Sequence, residues 1–427
     1  TDLGKANFGQ VKTYLGTGVI QNYARNFLQV QQTSIGHRGS YIHKKQVWLW
    51  GADLQRIAIQ DQLLEWERRD SAGFTQPYNP TQLTMMKSYR SHADLRYDKI
   101  QGFIQNNFKW NDSVDLTFSI GVRFNYDFLN KECIVSPRMQ VAYKPKWQRD
   151  VVMRAALGWY AQPPLYREMR NLEGVLNTAL LSQKSMHAVL GYDYNAHWGR
   201  RPLRITNEIY YKKLLDLVPY EYDNIRIRYF GKNNSSGYAY GIETRFYGDL
   251  VKNATSWISL GLMKTAEDLK DDFYTLKNVA GTDSAIVHPG FIPRPSDQRL
   301  MLGMYYEDYL PNNENIKVHL NFMYGTGLPF GPPDAIRYSD TLRLPSYKRV
   351  DIGFSAQLFK RKSQETATTA AHKKINSAWL SLEVFNLLGI QNTLSYTWVQ
   401  DQSSGKTFAV PNRLTSRLLN LKLIVKF

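Results

Sequence analysis

VDLTFSIGVRFNY, residues 114–126, decides the fold. Val114, Leu116, Phe118, Ile120, Val122, Phe124 and Tyr126 share one face of an extended chain, and Asp115, Thr117, Ser119, Gly121, Arg123 and Asn125 share the other. Alternation alone fits a half-buried strand of a soluble sandwich equally well. Length separates the two, because the unbroken run is about twice a usual globular strand of roughly 5–6 residues and exceeds the roughly 9–11 that cross a bilayer at a tilt. The pattern returns at 203–218, 316–324 and 350–358, and in RLLNLKLIVKF at 417–427. There Leu419, Leu421, Leu423, Val425 and Phe427 oppose Asn420, Lys422 and Lys426, with Ile424 among the polar set. One apolar face and one wet face is the pattern of a barrel stave between lipid and a polar lumen.

Composition agrees. Among the 427 residues, 28 Tyr and 10 Trp bring aromatic content to 13%, which suits girdles at two membrane interfaces. No stretch approaches the roughly 20 consecutive apolar residues of a membrane helix, so any span must be β. A mean hydropathy of -0.45 is compatible with this, because only alternate strand residues meet lipid. The formal charge of +17 is spread along the chain rather than gathered in a run, which favours a solvated lumen and loops over a nucleic-acid groove. Cys133 is alone, and neither CxxC pairs nor close His clusters give metal-ligand spacing, so no metal and no cofactor are expected. TDLGKANFGQ at 1–10 lacks a charged start followed by an apolar core; the expectation is a cytosolic chain or a piece of a longer precursor.

Connections alternate in length. Short ones are expected near 36–39, 110–113, 145–149, 197–202, 250–253 and 310–315, and long ones at 69–92, 161–182, 222–236, 267–297 and 326–347. Short turns on one side and long loops on the other is the outer-membrane arrangement, with two exceptions: a short outer loop at 129–131 and a longer polar turn at 360–374. Counting back from Phe427 gives about 15 antiparallel strands, the first near 22–36, an odd number that places 1–21 in an extracellular loop and 22–427 in the barrel.

Several segments, in order, then resemble one family. SPRMQVAYKP at 136–145, ALGWYAQPPLY at 156–166, NEIYYKKLLDLVPY at 207–220, YFGKNNSSGYAYGIETRFYG at 229–248, LRLPSYKRVDIGFSAQLF at 342–359, WLSLEVFNLLG at 379–389 and the terminal strand resemble the β-barrel of TonB-dependent outer-membrane transporters. The resemblance implies an all-β transmembrane antiparallel barrel of roughly 22 strands around a plug, in the outer membrane of a Gram-negative bacterium. About seven strands, the plug and the TonB-contacting segment are then expected upstream, as partners within the same protein. It also implies outer-membrane lipid around the barrel, a surface lipoprotein lid in some members, and Leu423, Val425 and Phe427 as the assembly signal. The implied function is TonB-dependent import of a scarce nutrient: a glycan, a peptide or a metal chelate. A barrel of this family serving as a structural or docking subunit is the alternative, and a passive porin comes third.

A binding barrel would place aromatic and cationic side chains at its outer mouth. The candidates are Tyr166, Arg167, Arg170 and Asn171, with Trp159 and Tyr160 just below, against the blander reading of girdle aromatics and solvated arginines. Glu267, Asp268, Asp271 and Asp272 match no calcium loop and are expected to be solvated. GTGLPFGPPD at 325–334 lacks the following helix of a phosphate cradle. No GxSxG elbow exists, and no enzyme is expected.

Overall fold

The computed structural model describes residues 19–71, 74–76, 79, 81–82, 84–110, 114–199, 201–223, 226–251, 254–277, 284–310, 313–331, 341–360, 376–400 and 407–426. The expected assembly residue Phe427, most of the expected loop at 1–21 and the polar turn at 360–374 lie outside or largely outside these residues.

The protein is built on one sheet of eighteen strands, every pairing antiparallel. Three strands are short extensions on a flank that a longer strand also uses: Val19–Ala24, Phe74–Gln76 and Ile292–Pro293. Fifteen long staves remain, each paired with the next in the chain, from Phe27–His43 to Leu418–Lys426. Among the described residues no pairing joins these two end staves, and both are exposed along almost their whole length. Over the described residues the wall is therefore open, and an edge of this kind cannot be satisfied by lipid.

The register fixes the faces. Ile104 lies opposite Val122, Ile120 opposite Met139, Met139 opposite Leu157, Leu190 opposite Ile209, and Ile209 opposite Ile242. These side chains stay exposed, Leu190 at 64% and Ile209 at 57%, so together they make an apolar belt. Lipid is the solvent that suits it. On Gln46–Ser71 the outward face changes character: Trp48, Trp50 and Leu54 give way to Arg56, which pairs with Asp98 at 2.9 Å. The rest of that 26-residue strand rises past the belt. The opposite face carries the ion pairs Arg154–Asp193, Lys317–Glu307, Arg349–Asp351 and Lys422–Glu383, as a wet lumen requires.

One expectation changes, and one connection shows a structure of its own. Residues 36–39 are not a turn: Phe27–His43 runs straight through them and turns at Lys44, whose φ of 51° is left-handed. Gly39 serves close approach instead, since a Cβ there would collide with the Trp50 ring stacked across the pair. The last outer connection, 386–417, holds a hairpin of its own, Thr393–Gln400 with Thr407–Arg413. It starts at Asn386, buried at φ 51°, which donates from its N–H to Asp351 Oδ1 at 2.8 Å and accepts from Ile390 N at 3.1 Å. Asn tolerates the left-handed region while its amide closes the turn.

Candidate ligand-facing site

The outer connection at 128–131 is a tight turn, with Asp127 Oδ1 accepting from Leu129 N at 3.0 Å and Lys131 at φ 58°. The wall is low there, and two long loops cover the gap. One is 163–182, containing the 3-10 turn Tyr166–Met169; the other carries the hairpin Tyr220–Asp223 with Arg226–Tyr229. Met169, Leu180, Val218 and Tyr229 form their buried core, with Leu129, Leu176 and Tyr220 against it. Asparagines replace regular pairing between the loops. Asn177 Nδ2 donates to Gly231 O at 2.9 Å and Asn233 Nδ2 to Leu181 O at 2.9 Å, while Asn130 Nδ2 ties the tight turn to the first loop through Leu180 O at 2.7 Å.

This strap is tied to staves well removed in sequence. Tyr166 OH donates to Asp61 Oδ2 at 2.6 Å, and Arg170 pairs with the same carboxylate while Nη1 donates to Gly174 O at 2.8 Å. Arg226 meets Glu65 at 2.9 Å, and Arg228 Nη2 donates to Tyr89 OH at 3.0 Å. Burial and the Asp61 charge push the Tyr166 phenol up to about 12, so it stays a donor. Glu168, 4% exposed, accepts from Leu165 N at 2.9 Å and Gln183 Nε2 at 3.1 Å, and burial raises its carboxyl above the usual range.

Each candidate residue finds a distinct place. Trp159 shares the outward face with Leu157 and lies opposite Met186, whereas Tyr160 points to the lumen side. Tyr166 and Arg170 come together on Asp61. Asn171 Oδ1 accepts from Glu173 N at 3.1 Å and Val175 N at 2.8 Å, closing the strap's turn. Arg167 lies 5.8 Å over the Tyr229 ring. A cavity of about 560 Å³ on the inner wall is lined by Arg38, Asp53, Gln101, Arg123, Arg138 and Tyr160. A second of about 490 Å³ lies under the strap, lined by Tyr160, Gln183, His187, Tyr220, Tyr229 and Arg294. Asp61, Arg138 and His187 were not singled out from sequence; Arg138 stands inside the SPR motif, and nothing local marks the other two.

Glu267 corrects the expected solvated acidic loop. It is fully buried, paired with Arg294 at 3.2 Å. Asp297, equally buried, accepts from Thr265 N at 2.8 Å and pairs with Arg299 at 2.7 Å and with Arg343. The FIPRPSD turn is thus clasped to its neighbours by charge. Among the described residues no group of three or more His, Cys, Asp or Glu is placed to hold a metal.

No family model and no curated protein matches the chain. Solved structures do. The ferric yersiniabactin uptake receptor FyuA of Yersinia pestis superposes at TM-score 0.59 with 14% identity, over 97% of this chain and 56% of its own. The outer membrane transporter YddB of Escherichia coli gives 0.55, 12%, 95% and 55%. A mutant form of the ferric enterobactin receptor PfeA of Pseudomonas aeruginosa gives 0.53, 12%, 93% and 61%. The fold is that of the TonB-dependent outer-membrane transporters. The chain spans a little over half the length of these structures, which are named as transporters or receptors. Its exposed apolar belt and charged inner face suit a membrane β-wall.

Proposed function

We propose that the chain forms most of the wall and the outer loops of a TonB-dependent importer of a scarce nutrient. The observation that carries this reading is the strap: two loops with their own buried core fold over the inner wall, pinned to Asp61, Glu65 and Tyr89, with a cavity beneath them. A passive pore needs no such cover. Strands and a plug supplied by residues beyond this chain would pair with the two free edges and fill the lumen, and the plug would carry the contact with TonB. Within the ligand-facing set, Tyr160 offers a ring to both cavities, and Arg167 sets a cation over the Tyr229 ring that lines the outer one. Tyr166, Arg170 and Asn171 hold the strap that closes it, and Trp159 anchors the outer face at the membrane boundary. A glycan, a peptide or a metal chelate all remain within this reading, and a surface lipoprotein would sit on the same outer loops.

The test is growth on one limiting nutrient that requires the full-length protein. That growth is expected to stop when TonB is removed. Undiminished growth without TonB would refute energised import and favour the docking-subunit or porin alternative.

A further inference from the structure

Beneath the outer cavity, inward side chains on neighbouring strands form a level row. Arg138 faces Gly158, Gly158 faces His187, and His187 faces Lys212 across the register. Tyr160 lays its ring over Gly158, where an added Cβ would sit 2.8 Å from Tyr160 Cε2. The ring is held between the Arg138 guanidinium at 4.3 Å and the His187 ring at 4.2 Å, while Lys212 rests on the Tyr210 ring at 4.8 Å.

Elsewhere on this wall cations meet carboxylates: Arg154 pairs with Asp193 and Glu208, Arg204 with Asp193, and Lys184 with Asp216 and Glu132. Among the described residues, Arg138 and Lys212 have rings instead. The neighbouring acids are engaged: Glu208 by Arg154, Glu243 by the Tyr210 hydroxyl, and Glu168 by Leu165 N and Gln183. Two further buried polar atoms at this level lack a partner, Arg138 Nε and Ser185 Oγ, and Ser185 faces Tyr160 across the strand pair. Tyr160 lines both the outer and the inner cavity, so the row stands where one meets the other.

We propose that this row binds an oxyanion of the transported ligand, a carboxylate in the first instance, as it passes from the outer cavity to the lumen; the inference rests on the import reading. A guanidinium stacked on a ring keeps its edge donors free, and that edge matches two carboxylate oxygens. Positive charge held on rings rather than salt-bridged to a carboxylate raises the local concentration of anions in a cleft with low-dielectric walls. Ser185 Oγ adds a neutral donor above the ring, and Tyr160 with His187 offers a flat surface to any planar group next to the oxyanion.

The test reads the local potential directly in full-length protein in outer-membrane vesicles, in a background where every native cysteine, Cys133 among them, is replaced by Ser. Ser185→Cys is labelled with a sulfonate-bearing and with a trimethylammonium-bearing methanethiosulfonate. The anionic reagent is expected to be favoured by about tenfold over its ratio for a free thiol. That preference should vanish with Arg138→Gln and Lys212→Gln together, and benzoate should slow labelling saturably in the parent alone. Leu214→Cys, facing Ser185 on the next strand and lining the same cavity, repeats the measurement if the first variant folds poorly. An unchanged ratio in the double variant, or a thiol inert to both reagents, overturns the proposal. Labelling needs no uptake, so the site can fail while TonB-dependent growth stands, and the reverse.

Discussion

Asp61→Asn should open the strap while leaving the wall intact. Asp61 is 7% exposed and receives the Tyr166 hydroxyl at 2.6 Å; the Arg170 side chain paired with it is 15% exposed. Breaking a buried pair by removing one charge costs about 3–5 kcal/mol, because the remaining charge is left desolvated. Asparagine keeps one acceptor oxygen, and Arg170 retains Gly174 O, so about 2–3 kcal/mol of strap closure is expected to be lost. That is roughly a 30- to 150-fold rise in the opened population. Hydrogen exchange reads it at the strap's own amides: Asn171 N bonded to Val175 O, Gly174 N to Asn171 O and Asn177 N to Met169 O. Their exchange should accelerate by that factor, while amides in Asp115–Asp127 keep their rates. Unchanged exchange in the strap would refute the reasoning and assign its closure to the core of Met169, Leu180, Val218 and Tyr229 alone.

Other consequences are open to direct measurement. Leu190→Arg puts a charge into the outward belt and should destabilise the folded barrel by about 2–4 kcal/mol if it lies near the midplane, read by urea titration in lipid vesicles; a variant as stable as the parent would place Leu190 outside the lipid. Asn386→Ala removes both the left-handed preference and the amide that closes the turn, so a loss of about 1–3 kcal/mol should appear as a lower midpoint in the same titration. Glu168 carries a pKa raised by burial, so the folded strap holds this proton more tightly than the open one. Closure is therefore strongest below the ordinary glutamate pKa of 4.5 and weakens as pH rises through the raised value. Strap exchange, corrected for intrinsic rate, should show that trend, and Glu168→Gln should abolish it; a trend of opposite sign would contradict the burial argument.

Much of the wall could be read from residue order. A strand has a period of two, so the alternation in 114–126, 203–218, 316–324, 350–358 and 417–426 names the face of each side chain before any neighbour is known, and the register agrees with each. Where the period carries no contrast, reading fails. Residues 27–43 mix polar and apolar side chains on both faces, so Gly36 and Gly39 suggested a turn although they lie within a strand. Trp159 and Tyr160 are both aromatic, and only the pairing with Met186 and Ser185 shows that they face opposite ways.

Composition and periodicity by themselves determined a membrane β-wall of about fifteen staves with long loops on one side. The backbone in lipid leaves so few solutions that local pattern suffices. Tertiary structure alone decided what the loops do. The contact between Tyr166 and Asp61 joins residues 105 apart, and Arg226 reaches Glu65 across 161. Such contacts depend on a low turn at 128–131, a four-residue core and a shared carboxylate, and no period in the sequence encodes them. The cation row of Arg138 and Lys212 has the same origin: the register of four consecutive staves brings the charges level, and the partners around each charge exist only once the strands are paired.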